Sequence, residues 1–498
     1  MGGLKFVDLF AGLGGFHVAM ARLGHECAFA SELDDDLREL YLRNFPNMAE
    51  KVFGDIRHVK DRVPRHDVLC AGFPCQPFSK SGSQLGVRDE TRGTLFHEIL
   101  DILEKWQPQF VLLENVGNFG RHDSGRTWSI VRQRLEDLGY HVAGTEHVTP
   151  RSQRDWRDVG SVRVPNSRPI IDTTHAKTSG TGLISPHHFG FPHHRERFYV
   201  YASLTRLGPT PFPAIQRNRK TDLSDIVQQS PTLTNQDIAE TKLTAQQLDC
   251  ISHWNSFVQA LPSSLELPSF PMWGDEIGAT YPYELRTPWS YSPKELGMFF
   301  VPPFPPHTRR EYLFQQLPSY AREEVAIFRA WKVRYIKQNR EWWSVVSKVT
   351  SKSWIDKLRQ FPPSLRKLEW NVKGEERDLW AHVLQFRPSG LRVKRSSSSP
   401  ALVAMTATQI PILGPERRFL SRLEGQRLQG FPDDHKLPIS RESAFKALGN
   451  AVHVGVIMKL AKHLIESPPN AAPVVASSRP RRTYVEATSR VPGHEMAK

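Results

Sequence analysis

Four short segments carry residues whose types and spacing could do chemistry together. Residues 72–82, GFPCQPFSKSG, hold Cys75 between two prolines, in a chain of only four cysteines. A free cysteine is usually a buried structural residue, but a stiff turn followed by polar SKSGSQ suits a nucleophile better. Glu114 and Asn115 close the apolar run in QPQFVLLENV. A carboxylate leaving a buried strand either caps the next segment or, in a crevice shared with the thiol, has its pKa raised by desolvation and donates a proton near neutrality. Arg195 and Arg197 in HHRERF are two apart on a strand-like run and so share a face. Guanidiniums entering an apolar strand need acceptors such as phosphate, a carboxylate or a base carbonyl. The fourth segment, FVDLFAGLGGFHVAM, places Gly12, Gly14 and Gly15 in a strand-to-helix turn.

In doubly wound sheets such a turn lets the backbone approach a nucleotide-like ligand. Glu32 follows about twenty residues later, at the end of the second strand-like run, where a carboxylate can take both hydroxyls of a ribose. The pyrophosphate pattern G-x-G-x-x-G would need glycine where this chain has His17, so an adenosine cofactor without a phosphate chain, S-adenosylmethionine, fits better than a dinucleotide. On this loop alone, a glycine turn with no ligand stands level with that reading.

The elements that must position these residues alternate regularly up to about residue 145. KFVDLF, HECAFASE, HDVLCAGF and QPQFVLLENV read as strands; GFHVAMARLG, DDDLRELYLRNF and TLFHEILDILEKW read as helices. Such alternation predicts an α/β, doubly wound, mostly parallel sheet covered on both faces. Pattern is lost after about residue 203, where Pro, Trp and Arg become frequent, and returns with LVAMTATQIPIL, FLSRLEGQRLQGF and SAFKALGNAVHVGVIMKLAKHLI. The tail from about 467 has the composition of disorder. A net charge of +14 favours a polyanionic partner, though a ribosome or membrane surface would also suit it. Nothing reads as a membrane span or signal peptide, and the cysteines form neither a disulfide framework nor a zinc pattern, so an intracellular protein is expected.

Taken together and in order, these segments resemble the cytosine-C5 DNA methyltransferases. FVDLFAGLGGF is similar to the family's cofactor loop, GFPCQPFSKSG to its nucleophile loop, ENV to its glutamate motif and HHRERF to its arginine motif. RFLSRLEGQRLQGFPDDH and ALGNAVHVGVI are similar to its closing motifs. The resemblance covers residues 1 to about 203 and about 386 to 465. It implies a class I S-adenosylmethionine methyltransferase fold with an inserted, smaller target-recognition domain: 1–203 as the N-terminal catalytic part, 204–385 as the recognition domain, 386–466 as the part completing the catalytic domain, and 467–498 as the tail.

The resemblance further implies that Cys75 attacks C6 of a cytosine flipped out of double-stranded DNA, that Glu114 bonds its N3 and exocyclic amine, that Arg195 bonds O2, and that Arg197 holds the catalytic groups. For S-adenosylmethionine it implies Phe10, Gly12, Leu13, Gly14, Gly15 and Glu32, with Asp55 and Ile56 approaching the adenine, Pro74 and Leu95 in the same pocket, and Asn450 and Val452 closing it. Ser79 and Ser81 would touch the DNA backbone. No metal and no membrane are implied. A bacterial restriction-modification setting is expected by analogy, with a separate cognate endonuclease, a monomer on DNA, and a place in the cytoplasm or nucleoid. Two rivals stand beside this reading. One is a tRNA cytosine-C5 methyltransferase, although the Cys-Phe-Thr element of that branch is missing; the other is an inactive DNA-binding scaffold, although the nucleophile, glutamate and cofactor loop are all intact.

Two departures from the pattern stand out. His193 replaces the family's glutamine and is expected still to donate a hydrogen bond. A basic insert at about 147–182 is expected to add a nucleic-acid contact. In the middle domain, most tryptophans are expected to form its own core, and no base-reading code can be extracted.

Overall fold

The computed structural model describes residues 3–74, 95–145, 156–159, 162–165, 182–208, 211–216, 219–229, 232–403 and 409–466. Cys75, Ser79, Ser81, most of the 147–182 insert and the 467–498 tail therefore lie outside the described residues.

The N-terminal half carries strands β1 (Lys5–Leu9), β2 (Glu26–Ser31), β3 (Val52–Phe53), β4 (Val68–Gly72), β5 (Phe110–Val116) and β6 (His141–Gly144). They are followed by a two-stranded hairpin, β7 (Trp156–Val159) with β8 (Val162–Pro165), then β9 (His193–His194) and β10 (Arg197–Ser203). Seven of these form one sheet in the order β3-β2-β1-β4-β5-β10-β6. β1 to β5 pair in parallel, whereas β10 runs antiparallel to both β5 and β6. Strand order reverses between β1 and β4, which opens a crevice at their C-terminal ends.

Because the pleat alternates, each strand feeds two cores. Phe6, Val68, Cys70, Leu112, Tyr199 and Tyr201 face helices 15–22 and 454–466. Val7, Leu9, Leu69, Leu113, Phe198 and Val200 face helices 95–106 and 126–137. Strands buried on both faces read as unbroken apolar runs, and each large side chain so buried contributes about 1.5–3 kcal/mol. Helix 35–44 starts where Asp34 accepts the Leu37 amide at 3.1 Å.

The second sheet has the order β11-β12-β14-β13-β16-β17, formed by Met272–Trp273 (β11), Lys367–Trp370 (β12), Val383–Arg387 (β13), Gly390–Lys394 (β14), Ile412–Leu413 (β16) and Arg418–Phe419 (β17). Ser399–Pro400 (β15) instead pairs with β9. Helices 245–260, 330–346 and 352–360 stack an aromatic core on this domain. Trp254 and Trp343 are buried there, their indole N–H groups donating to the carbonyls of Leu365 and Trp273, each at 2.9 Å. Trp289 and Trp331 keep an exposed edge.

The boundary expected at residue 385 falls within β13, and FRPSGLRVK belongs to the β13–β14 hairpin, where Leu384, Phe386, Leu391 and Val393 are buried. Helix 422–428 follows β17. No described helix is long and apolar enough to cross a membrane.

Candidate active site and cofactor pocket

After Leu9 the chain turns through Phe10 (φ 60°), Gly12 (φ 53°) and Gly14 (φ 77°) before helix 15–22 begins. Phe10 in the left-handed region costs on the order of 1–3 kcal/mol, which the surrounding contacts must offset. The Gly12 amide donates to Glu32 Oε2 at 2.8 Å and the Asp34 amide to Oε1 at 3.0 Å. Glu32 is thus fixed at the end of β2 by two backbone donors, with lone pairs left for hydroxyls.

Phe10, Glu32, Asp55, Ile56, Pro74, Leu95 and Asn450 line one cavity of about 350 Å³. Ser31, Leu33, Gly54 and Arg57 also line it and were not singled out in the sequence; the first three adjoin Glu32 or Asp55 and Arg57 lies two positions past Asp55, which was the available signal. Apolar walls with carboxylates at the rim suit a nucleoside bearing hydroxyls and an amine, and they oppose a pyrophosphate. Asp55 caps helix 56–59 and bonds Arg57, whose Nε donates to Oδ2 at 2.8 Å; this holds the carboxyl below its usual range. Leu13 is buried, and its carbonyl accepts from His435 Nε2 at 2.9 Å. Val452 packs on Gly15, where an added Cβ would lie 2.6 Å from Val452 Cγ2 and 3.0 Å from its carbonyl oxygen.

On the neighbouring side of the crevice, Gly72 at the end of β4 stands in register with Glu114 on β5. Asn115 Nδ2 donates to the Phe73 carbonyl at 3.0 Å, which anchors the exit of β4 just before Pro74. Glu114 is buried and pairs with Arg197, Nε to Oε1 at 2.9 Å. Burial raises the Glu114 pKa, and the guanidiniums of Arg197 and Arg195 offset only part of the rise. Arg195 points elsewhere: its Nη2 donates to the carbonyls of Gly449 and Ala451, both at 2.8 Å. Burial and then Arg197 push its guanidinium down to about 9.

A sequence profile described as C-5 cytosine-specific DNA methylase matches residues 4–149 and 181–466. The chain belongs to this family. Type II methyltransferase M.AluI of Cellulosimicrobium cellulans is 32% identical over 505 residues, covering 91% of this chain and 90% of that protein. Type II methyltransferase M.HhaI of Haemophilus parahaemolyticus is 48% identical over 139 residues, 28% of this chain and 41% of that protein. A crystal structure of a Spodoptera frugiperda DNMT2 mutant overlaps at a TM-score of 0.40 with 15% identity, over 93% of this chain and 99% of that one.

As a C-5 cytosine-specific DNA methylase the protein is an enzyme that modifies DNA, and members of the family take the methyl group from S-adenosylmethionine. Within this methylase the two arginines take different partners. Arg195, 2% exposed, gives Nη2 to the backbone carbonyls flanking Asn450 and Nη1 to that of Leu402, whereas Arg197 is the one beside Glu114. His193 also departs from expectation: it is fully buried, and neither ring nitrogen has a partner among the described residues.

The tight Gly15–Val452 contact gives a test of how the methylase closes its pocket. Gly15→Ala forces Val452 and its backbone away, an overpacking cost of about 1–3 kcal/mol. The expected result is a lower melting temperature and a raised KM for S-adenosylmethionine, with KM for DNA unchanged.

Proposed function

We propose that this methylase transfers a methyl group to C5 of a cytosine flipped out of duplex DNA, through a transient bond from Cys75 to C6. The observation that carries the reading is the Glu114–Arg197 pair at 2.9 Å, set one strand from the β4 exit that leads to Cys75 and beside the cavity lined by Glu32 and Asn450. S-adenosylmethionine supplies an electrophilic methyl group. Phe10, Ile56, Pro74 and Leu95 would hold its adenine, and Glu32 its ribose hydroxyls.

Cys75 as thiolate adds to C6, and the electron pair of the C5–C6 bond becomes available at C5. Neutral Glu114 donates to N3 as charge develops there and accepts from the exocyclic amine, while Arg197 bonds O2 and holds the carboxyl. After methylation the C5 proton passes to solvent water as the Cys75 thiolate departs, and the N3 proton returns to Glu114, restoring the ring as 5-methylcytosine. Exclusion of water by the crevice strengthens each of these contacts. Ser79 and Ser81 would contact the DNA backbone. The relatives' Type II designation supports a restriction-modification role, in which the modified sites would be those a cognate endonuclease cuts; one copy of the chain acting on each site fits this role.

The test is transfer of labelled methyl from S-adenosylmethionine to duplex DNA and to total tRNA in parallel, with Cys75→Ala as control. Label at DNA cytosine C5 that disappears in the variant is the expected result. Label on RNA alone would assign the chain to RNA, and cofactor binding without transfer to either would make it a scaffold.

A further inference from the structure

The second sheet has one apolar and one polar face. In register on the polar face stand Glu369, Arg392 and Gln385, from β12, β14 and β13, with Arg387 and Lys394 at opposite ends of the hairpin. Paired residues of a ladder share a face, and the residues between them, Leu384, Phe386, Leu391 and Val393, fill the core on the other side. Most of the polar row is already engaged. Arg392 Nε donates to Glu369 Oε2 at 2.6 Å, and Gln385 Nε2 donates to the Gln409 carbonyl at 2.7 Å.

Arg387 is the exception. Its Nε has no partner among the described residues, and its contact with Gln385 Oε1 is a long 3.5 Å. Burial and the neighbouring Arg392 both disfavour its charge, which an acceptor from outside would relieve. The row also looks toward the catalytic domain: Lys394 lies within electrostatic reach of Glu196 and His194, beside the two arginines of the site. β15, just beyond the hairpin, pairs with β9 at His193, which ties this part of the second domain to the crevice.

β12 and β16 flank the hairpin's two strands, but the Pro388–Ser389 turn that joins them is exposed. In the major groove a planar guanidinium meets guanine O6 and N7 with two parallel hydrogen bonds. We infer that Arg387, at the exposed Pro388–Ser389 turn of the β13–β14 hairpin, reads a guanine of the target sequence. This rests on the reading of the chain as a methylase of duplex DNA. Arg392, held by Glu369, and Lys394, at the far end of the hairpin, lie on the same face.

The test maps 5-methylcytosine on unmethylated, PCR-amplified genomic DNA for wild type, Arg387→Ala and Arg387→Lys, alongside initial rates at several salt concentrations. Losing a bidentate base contact should lower kcat/KM for DNA about tenfold to a hundredfold. KM for S-adenosylmethionine should stay unchanged, and the methylated sites should tolerate other bases at one guanine position. Arg387→Lys, which keeps stem and charge but not the fork, should relax that position equally, so the inference remains testable if the alanine variant folds poorly. An unchanged site pattern overturns it, including a uniform loss with a salt slope shallower by about one, which would assign Arg387 to a phosphate. Should wild type methylate no DNA, the parent reading fails separately. Selection of bound duplexes from a randomised pool then decides whether wild type, and not the variants, enriches guanine.

Discussion

On the proposed mechanism, Glu114→Gln should lower kcat for methyl transfer by about a hundredfold to ten-thousandfold while leaving KM for DNA within a few fold. The amide reproduces the shape of the carboxyl and can still donate to N3 and accept from the exocyclic amine, so the bound base is held. It cannot give up a proton as charge builds on the ring. Arg197, 2.9 Å from the carboxyl, keeps an oxygen acceptor in the amide and stays in place.

The pH profile separates this loss from misfolding. Burial raises the Glu114 pKa above its ordinary 4.5, so the proton-donating form is present below the raised value and disappears as pH climbs through it. The alkaline limb of kcat set by this group should therefore vanish in the glutamine variant. For stability the sign follows the same direction: the folded state binds the proton more tightly than the unfolded one, so this group's contribution falls as pH rises from about 4.5 through the raised value. A glutamine variant within threefold of wild type would remove Glu114 from the chemistry.

Glu424→Ala destabilises the protein by about 3–5 kcal/mol, read as a lower urea midpoint. Glu424 has no exposed surface, and four donors converge on it. Arg418 Nη1 and Nη2 meet Oε2 and Oε1 at 2.8 and 2.7 Å, and the Ser421 and Gln228 amides each donate at 2.8 Å. Truncation leaves the Arg418 charge with no counter-ion and only the Phe419 and Gln228 carbonyls as acceptors, leaves the Gln228 amide without its acceptor, and removes the Glu424 half of the capping box of helix 422–428. The three partners come from β17, from the segment ahead of helix 235–241 and from the N-cap of helix 422–428, so one carboxylate ties segments distant in the chain. Loosening of that tie should lower activity on DNA before the protein unfolds. The exposed pair Lys373–Glu266 is the control, and its removal should leave the midpoint unchanged.

Much of this was legible in the chain because its causes are local. Strands β1, β4 and β5 show as apolar runs since both faces are buried, and Glu32 follows the glycine turn at the interval that a strand, helix and strand require. Glu114 was visible as a charge at the end of such a run. What stayed hidden depends on distant partners. The acceptors of Arg195 lie more than 200 positions away, at Leu402, Gly449 and Ala451, so nothing near HHRERF indicates where its first arginine is anchored. That β13 runs across residue 385 was hidden too, because LQF and LRV alternate as any half-buried strand does, and alternation does not say which strands they pair with. The carboxylate that joins Arg418, Ser421 and Gln228 likewise gave only its capping-box signal.

The pocket wall contributed by the closing segment has a consequence in time. Gly15 waits for Val452, Leu13 for His435 across 422 positions, and Arg195 for Ala451 across 256. During synthesis the glycine turn, Glu32, Glu114 and both arginines are all made long before the residues that shut the cavity around them. A nascent chain therefore holds the glycine turn and Glu32 before Asn450 and Val452, which complete the wall, exist, and a chain truncated before Asn450 is expected to bind no S-adenosylmethionine.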